Sequence, residues 1–323
     1  MPAVQPEKLL KELSELWVGL GEKDDAGHGV LRACAMTFLV VTERDTAGVD
    51  VGETLASLMP EHPSRAVVVV LDDEAVEISA RVFAQCWMPF GRRQQICCEQ
   101  IEITTPPDRL ADIATVILGL VVPDLPVVMW SRCAGLFDLP EYHRLLPLMD
   151  KLIVDSNRVE DAAAFLRHLK AIPRVLVADL AWTRLTRWRE TVAAVFENRA
   201  FLDRLGTVDE ISVSHAGAEA PTRAWYLAAW LARGVGGRVK PVLRKTDGEP
   251  GVHGVSLKGG DFAMSLVLVD ESQAELRAGG LVTRLVFQRP DDYRLLREEL
   301  KILGSDRIFE ESLAGAIELS GSA

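Results

Sequence analysis

Four acidic residues, Asp72, Asp73, Asp155 and Asp179, each stand directly behind a short apolar run (AVVVVL, KLIV and VLVA). If those runs are strands of an open α/β sheet, their carboxyl ends are where such sheets bind ligands. A carboxylate there can take a proton or grip a ligand hydroxyl. The same place suits a helix N-cap, whose side-chain oxygen accepts from the following backbone N–H groups. For Asp155, in DSNRVEDAAAFL, capping outweighs catalysis. The loop EHPSRA places His62, Ser64 and Arg65 ahead of the first buried run. That trio could hold an anion, although Pro and Ser suit a plain turn equally well. His62, Ser64, Arg65, Asp72 and Asp155 are thus the candidate ligand residues, and the ligand they suit is a small phosphorylated metabolite.

Two further stretches carry reactive or sticky side chains. Cys86 and Cys97 flank the turn-like PFGRR and form a candidate redox pair if the two flanking strands meet in register. Cys98, the next residue, should face the opposite side of its strand. Five cysteines without a C-x-x-C argue against a disulfide framework or a structural zinc, and buried free thiols are the commoner state in a cytosolic chain. The second stretch is DLAWTRLTRWRE, residues 179–190. At 3.6 residues per turn Trp182, Leu185, Trp188, Val192 and Phe196 share one face. Arg184 and Arg187 lie on the other, and Arg189 falls inside the apolar arc, where it needs a carboxylate or carbonyl partner.

The remaining motifs are negative. There is no P-loop, no G-x-G-x-x-G between a strand and a helix, no G-x-S-x-G and no H-E-x-x-H. GVGG at 234–237 follows a helical run and reads as its stop signal. Six histidines stand singly, without metal-ligand spacing. No catalytic residue, cofactor or metal is expected. A net charge of −11 disfavours nucleic acid and anionic membranes as partners. The most apolar stretch, Ile113–Trp130, is cut by Pro123, Asp124 and Pro126, and the N-terminus lacks a signal-peptide core. A soluble, cytoplasmic protein is the expectation.

The elements that must position these residues alternate in the first half. A leucine-rich helix over 9–20 precedes a strand over 30–42, a helix over 51–59, the RAVVVVLDD strand and two long strands joined by a Pro89–Gly91 turn. Helices over 108–120, 141–148 and 159–170 then alternate with strands at 127–130, 152–155 and 175–178. Such alternation predicts β-α-β crossovers and a mostly parallel sheet. The second half reads as strands at 210–215, 238–243, 254–257, 262–269 and 281–288, with helices at 221–233, 291–303 and 308–319. The fold class is therefore an α/β N-terminal domain, residues 1–180, followed by an α+β C-terminal domain, residues 181–323.

Several of these stretches occur together, in order, in one known family. EHPSRAVVV, LVVPDLPVVMWSR, KLIVDS, DLAWTRLTRWRE and AWYLAAWLA make residues 30–240 resemble the glucose-6-phosphate dehydrogenase assembly protein family, also called OpcA. The resemblance implies a non-catalytic accessory protein of the oxidative pentose phosphate pathway. Such a protein would bind that dehydrogenase and promote its assembly or allosteric activation. It also implies contact residues in the tryptophan-arginine motifs: Trp130, Arg132, Trp182, Arg184 and Arg187. The chain departs from the family at Ser131 and Cys133, where a second tryptophan and a glycine are common, and at Arg187, often a proline. The first departure points to a different dehydrogenase isoform or a weaker contact. The chain's own oligomeric state is left open.

Overall fold

The computed structural model describes residues 4–22, 30–44, 49–87, 95–302 and 304–321. Set beside a single boundary at residue 180, the chain passes more than once between two compact units. The first comprises Met1–Val154 and Pro173–Val177, the second Asp155–Ile172 and Ala178–Ala323.

In the first unit, Leu9 and Leu13 fall one turn apart on α1 (Pro6–Glu22) and are both buried. The strands β1 (Val30–Arg32), β2 (Met36–Glu43), β3 (Ser64–Leu71), β4 (Ser79–Trp87) and β5 (Gln95–Thr105) follow, with α2 (Val49–Leu58) between β2 and β3. Then come α3 (Leu110–Leu120), β6 (Val127–Ser131), β7 (Lys151–Val154) and β8 (Leu176–Asp179), whose last two residues belong to the second unit. The sheet order is β1-β5-β3-β2-β6-β7-β8, with β4 antiparallel on β5. The pairs from β1 through β7 are parallel. With β1 and β4 set aside, the remaining strands run third, second, first, fourth, fifth, sixth, the doubly wound order of dinucleotide-binding sheets. Every residue of β3 is buried, as expected of a strand covered on both faces.

Three local expectations change here. The single strand expected over 30–42 is two strands, because the chain leaves β5 for β3: Ala33 N–H donates to Cys97 and Ala35 N–H to Pro63. The helix expected over 141–148 is a pair of 3-10 turns, Pro140–Arg144 and Leu146–Leu148, and Pro147 within the second has no N–H to extend an α-helix. The helix expected from 159 starts at Ala162 as α4 (Ala162–Ala171), capped by Asp161 rather than Asp155. The Pro89–Gly91 turn lies outside the described residues.

The second unit contains α4, α5 (Leu180–Thr183), α6 (Thr186–Val195), α7 (Arg199–Leu202), β9 (Glu210–Ala216) and α8 (Thr222–Gly234). The strands β10 (Val242–Lys245), β11 (Gly251–Gly259), β12 (Phe262–Leu268), β13 (Gln273–Ala278) and β14 (Leu281–Val286) come next, then α9 (Asp292–Glu299) and α10 (Arg307–Ser320). Its sheet runs β10-β9-β11-β12-β13-β14, antiparallel except for the β10–β9 pair. The alanine-tryptophan helix α8 is buried from Ala224 to Ala229 and packs on α10. At that crossing a Cβ on Gly315 would come within 2.9 Å of the Ala229 Cβ, so only glycine allows the approach. The strand β13 was not expected: QAELRA is too polar to read as a strand, and Glu275 pairs with Arg277 and Arg284 on its surface. Among the described residues no helix is long and apolar enough to cross a membrane.

Candidate functional site

In a doubly wound sheet the ligand crevice opens where strand order reverses, here at the carboxyl ends of β2 and β6. The residues there are Glu43, Arg44, Ser131, Arg132 and Cys133. The Cys133 thiol donates to Glu43 Oε1 at 2.9 Å. Burial, with help from that carboxylate, pushes the thiol up to about 12. Asp72 ends β3, where a dinucleotide-binding sheet carries the acid that grips ribose. Its carboxylate is instead held by Arg44 and by the Glu74 N–H. The stretch after β2 reads ERDTAG, with one glycine and a leading glutamate. A pyrophosphate needs close backbone approach and no neighbouring carboxylate, so these residues do not fit a dinucleotide.

The structure disperses the other candidate ligand residues. Ser64 and Arg65 open β3 at the end opposite Asp72, His62 precedes them, and Asp155 belongs to the second unit. Arg65 is buried and already engaged: Nε donates to Glu99 Oε2 at 2.6 Å and Nη1 to the Leu120 carbonyl at 2.7 Å. Glu99 also pairs with Arg32 at 2.6 Å and accepts the Trp17 indole N–H at 2.7 Å. Together they line a 500 Å³ cavity under α1. Cys86 and Cys97 pair directly across β4 and β5 and form a disulfide. Cys98 turns the other way, donates to the Ala33 carbonyl, and is pushed up to about 11 by burial.

Of the residues placed on a partner surface, three are interior. Trp130 is 1% exposed in β6, and Arg132, itself buried, lies 5.3 Å over its ring. Trp182 is 3% exposed, and its indole N–H donates to Asp306 at 3.1 Å. The face drawn over Trp182, Leu185, Trp188, Val192 and Phe196 is buried as far as Val192, with Phe196 part-exposed, and it is carried by two helices, α5 and α6, rather than one. Arg189 enters that face by stacking on Trp182 at 3.7 Å and donating to Thr186 Oγ1 at 3.0 Å. Burial lowers its pKa, and the carboxylates of Asp306 and Glu298 oppose that shift. Arg184 is largely covered and pairs with Asp155 at 2.7 Å, whereas Arg187 is exposed on α6 with Glu190 at 3.8 Å.

Asp155 and Asp179 therefore do different work. Asp155 receives Arg184 and, at 3.3 Å, Arg158, and also accepts the Asn157 N–H. Burial alone would raise its carboxyl, but the two guanidinium groups hold it below the usual range. Asp179 is fully buried and accepts from the Ser156 and Ala181 N–H groups and from the Tyr226 hydroxyl, at 2.9–3.0 Å. With no cation among these donors, burial pushes its carboxyl up to about 6, and the nearby Asp155 charge adds to the effect.

Asp155 also lines a concavity of the second unit, about 850 Å³. Five arginines border it: Arg158, Arg184, Arg187, Arg223 and Arg289. Val252, Leu268, Trp188 and Phe287 supply apolar wall, the last two rings meeting edge to face at 5.0 Å. The sequence reading singled out Arg184 and Arg187 but neither Arg223 nor Arg289. One signal was legible. Arg223 sits in the first turn of α8, where the helix dipole disfavours a cation.

Comparison with known proteins ties both halves of the chain to one description. A family model described as the glucose-6-phosphate dehydrogenase subunit N-terminal domain matches residues 56–171, and its C-terminal counterpart matches residues 175–313. A Synechocystis protein described as a candidate OxPP cycle protein, OpcA, is 30% identical over 194 residues, covering 58% of this chain and 40% of its own. A Synechococcus elongatus protein of the same description is 27% identical over 212 residues, covering 64% and 46%. The chain thus spans less than half the length of these relatives. Among solved structures, a dehydrogenase from Chromobacterium violaceum superposes with a TM-score of 0.51 at 11% identity, covering 90% of this chain and 94% of that one. The oxidoreductase-like yvaA of Bacillus subtilis gives 0.50 at 9% identity, covering 89% and 96%. These two share the fold alone.

Proposed function

Because this chain belongs to the glucose-6-phosphate dehydrogenase assembly protein family, OpcA, we propose that it is a non-catalytic, cytoplasmic partner that binds this dehydrogenase and favours its active form. The observation that carries the reading is the match of both family domains, in order, along one chain. The misfit between the β2–β6 crevice and a dinucleotide supports a role outside hydride transfer. A partner activates only to the extent that it binds the active form more tightly than the inactive one. Binding should therefore strengthen when the dehydrogenase holds substrate. Arg187, exposed on α6, is the contact residue we favour, while the buried Trp130, Arg132 and Trp182 are interior residues of their own units.

The test uses the dehydrogenase of the same organism, purified and assayed with and without this chain, together with co-elution on a sizing column. Co-elution with a change in kcat/KM or in the dehydrogenase's oligomer is expected. Separate elution with unchanged kinetics would overturn the reading.

A further inference from the structure

Charge is distributed unevenly around the 850 Å³ cleft. Arg158 and Arg184 are neutralised, since both pair with Asp155 and both reach Asp292, at 3.4 and 3.7 Å. Arg187 has Glu190. Arg223 and Arg289 have no carboxylate partner among the described residues, and Arg223 Nε is buried without any hydrogen-bond partner. Leaving a buried guanidinium N–H unsatisfied is costly, and native chains rarely do it without a reason. The backbone also makes room for this side chain. Gly251, at φ +152, lies against Arg223, and a Cβ there would come within 3.2 Å of Nη2. The positive φ and the guanidinium together require glycine.

The surplus is chemically specific. Arg184 and Arg289 each lie close enough to Arg223 for their charges to repel it, which lowers the Arg223 pKa beyond the effect of burial, against the opposing pull of Asp155. A dianion placed among them would relieve that repulsion and satisfy the orphaned Nε. Guanidinium forks match the oxygens of phosphate in a bidentate manner, and Arg223 and Arg289 offer two such forks in a cleft whose other lining includes the carboxylates of Glu271 and Glu298. The volume lies within the range of small-molecule sites. The wall of Trp188, Phe287, Val252 and Leu268 gives the organic half of a ligand an apolar surface.

We propose that this cleft of the second unit binds a small phosphorylated compound, with the phosphate held by Arg223 and Arg289. The proposal does not rest on the dehydrogenase partnership, although Arg187 borders the cleft, and its test uses this chain alone. Titration calorimetry with inorganic phosphate, a hexose 6-phosphate and adenosine monophosphate separates the phosphate contribution from that of the sugar or base. Intrinsic tryptophan fluorescence, to which Trp188 in the cleft wall contributes, gives a second readout. One saturable site is expected, with at least one ester binding more tightly than inorganic phosphate; whichever ester wins identifies the organic half. Arg223→Gln and Arg289→Gln should each weaken binding by about tenfold or more, because each removes a charged hydrogen-bond donor. Arg199→Ala, remote on the exposed α7, should bind like the parent. Arg289 is exposed, so its variant remains informative even if Arg223→Gln impairs folding. Absence of saturable binding to all three probes would overturn the proposal. So would affinity that is indifferent to both glutamine variants, or esters that bind no better than phosphate.

Discussion

The two units each bury a carboxylate, and they do so by opposite means. In the first, Glu99 is surrounded by charge: Arg65 and Arg32 pair with it on separate oxygens, and the Trp17 indole adds a neutral donor. In the second, Asp179 is given neutral donors only, two backbone N–H groups and the Tyr226 hydroxyl. Cations are present in the second unit, but Asp155 holds them. A buried ion pair returns in Coulomb energy part of what its desolvation costs, whereas a carboxylate among neutral dipoles relieves the same penalty by taking up a proton more readily. One unit has therefore placed its buried acid between guanidinium groups, and the other keeps an acid that titrates near neutrality.

That contrast can be broken by substitution, and the largest effect belongs to the first unit. Arg65→Met leaves a buried carboxylate short of its main partner, and should lower unfolding stability by about 3–5 kcal/mol in urea titration. A loss under 1 kcal/mol would mean that Arg32 and Trp17 suffice on their own. Asp179→Asn comes next, and its signature is pH dependence. An exposed aspartate releases its proton near 3.8, whereas Asp179 in the folded chain holds it to about 6. Between those values the folded state binds the additional proton, so stability must fall as pH rises through this window, by about 3 kcal/mol in total. The asparagine variant should remove that slope while the parent retains it. Equal slopes in parent and variant would contradict the assignment.

Tyr226→Phe is expected to be milder, at about 1–2 kcal/mol. Its cost should grow above pH 6, where the acceptor it abandons is ionised and the lost hydrogen bond is charge-assisted. Guanidinium melts on either side of that pH test the trend. Smallest is Arg187→Ala, which removes an exposed side chain paired loosely with Glu190. Stability should move by no more than about 0.5 kcal/mol, so any loss of dehydrogenase binding in a pull-down can be read as a lost contact rather than as unfolding.

Much of this architecture was legible in the residues. The apolar runs at 64–71, 127–131 and 151–154 are strands because β-branched side chains suit a sheet buried on both faces. The buried face of residues 182–192 followed from spacing alone, but Arg189 meets the Trp182 ring and the Thr186 hydroxyl rather than the carboxylate or carbonyl expected for it. The pairing of Cys86 with Cys97 required only that two strands flank a turn in register. Less legible were elements whose local chemistry argues against them, such as the polar strand β13, or the 3-10 turns that Pro147 imposes on a leucine-rich stretch.

What the sequence by itself determined is the strand and helix alternation, the family, and which residues are too apolar or too well spaced to be anything but interior. Periodicity is a local property, and burial of one face follows from it. Only the tertiary structure decided which charges are spent and which are spare. Arg65 and Arg184 look as available as Arg223 and Arg289 in the linear chain, since all four are arginines beside turns or helix starts. The fold gives the first two carboxylate partners from residues 34 and 29 positions away, and gives the last two none among the described residues. Ion pairing depends on distance in space, over which sequence separation has no control, and so the arginine cleft emerges only when the chain is folded.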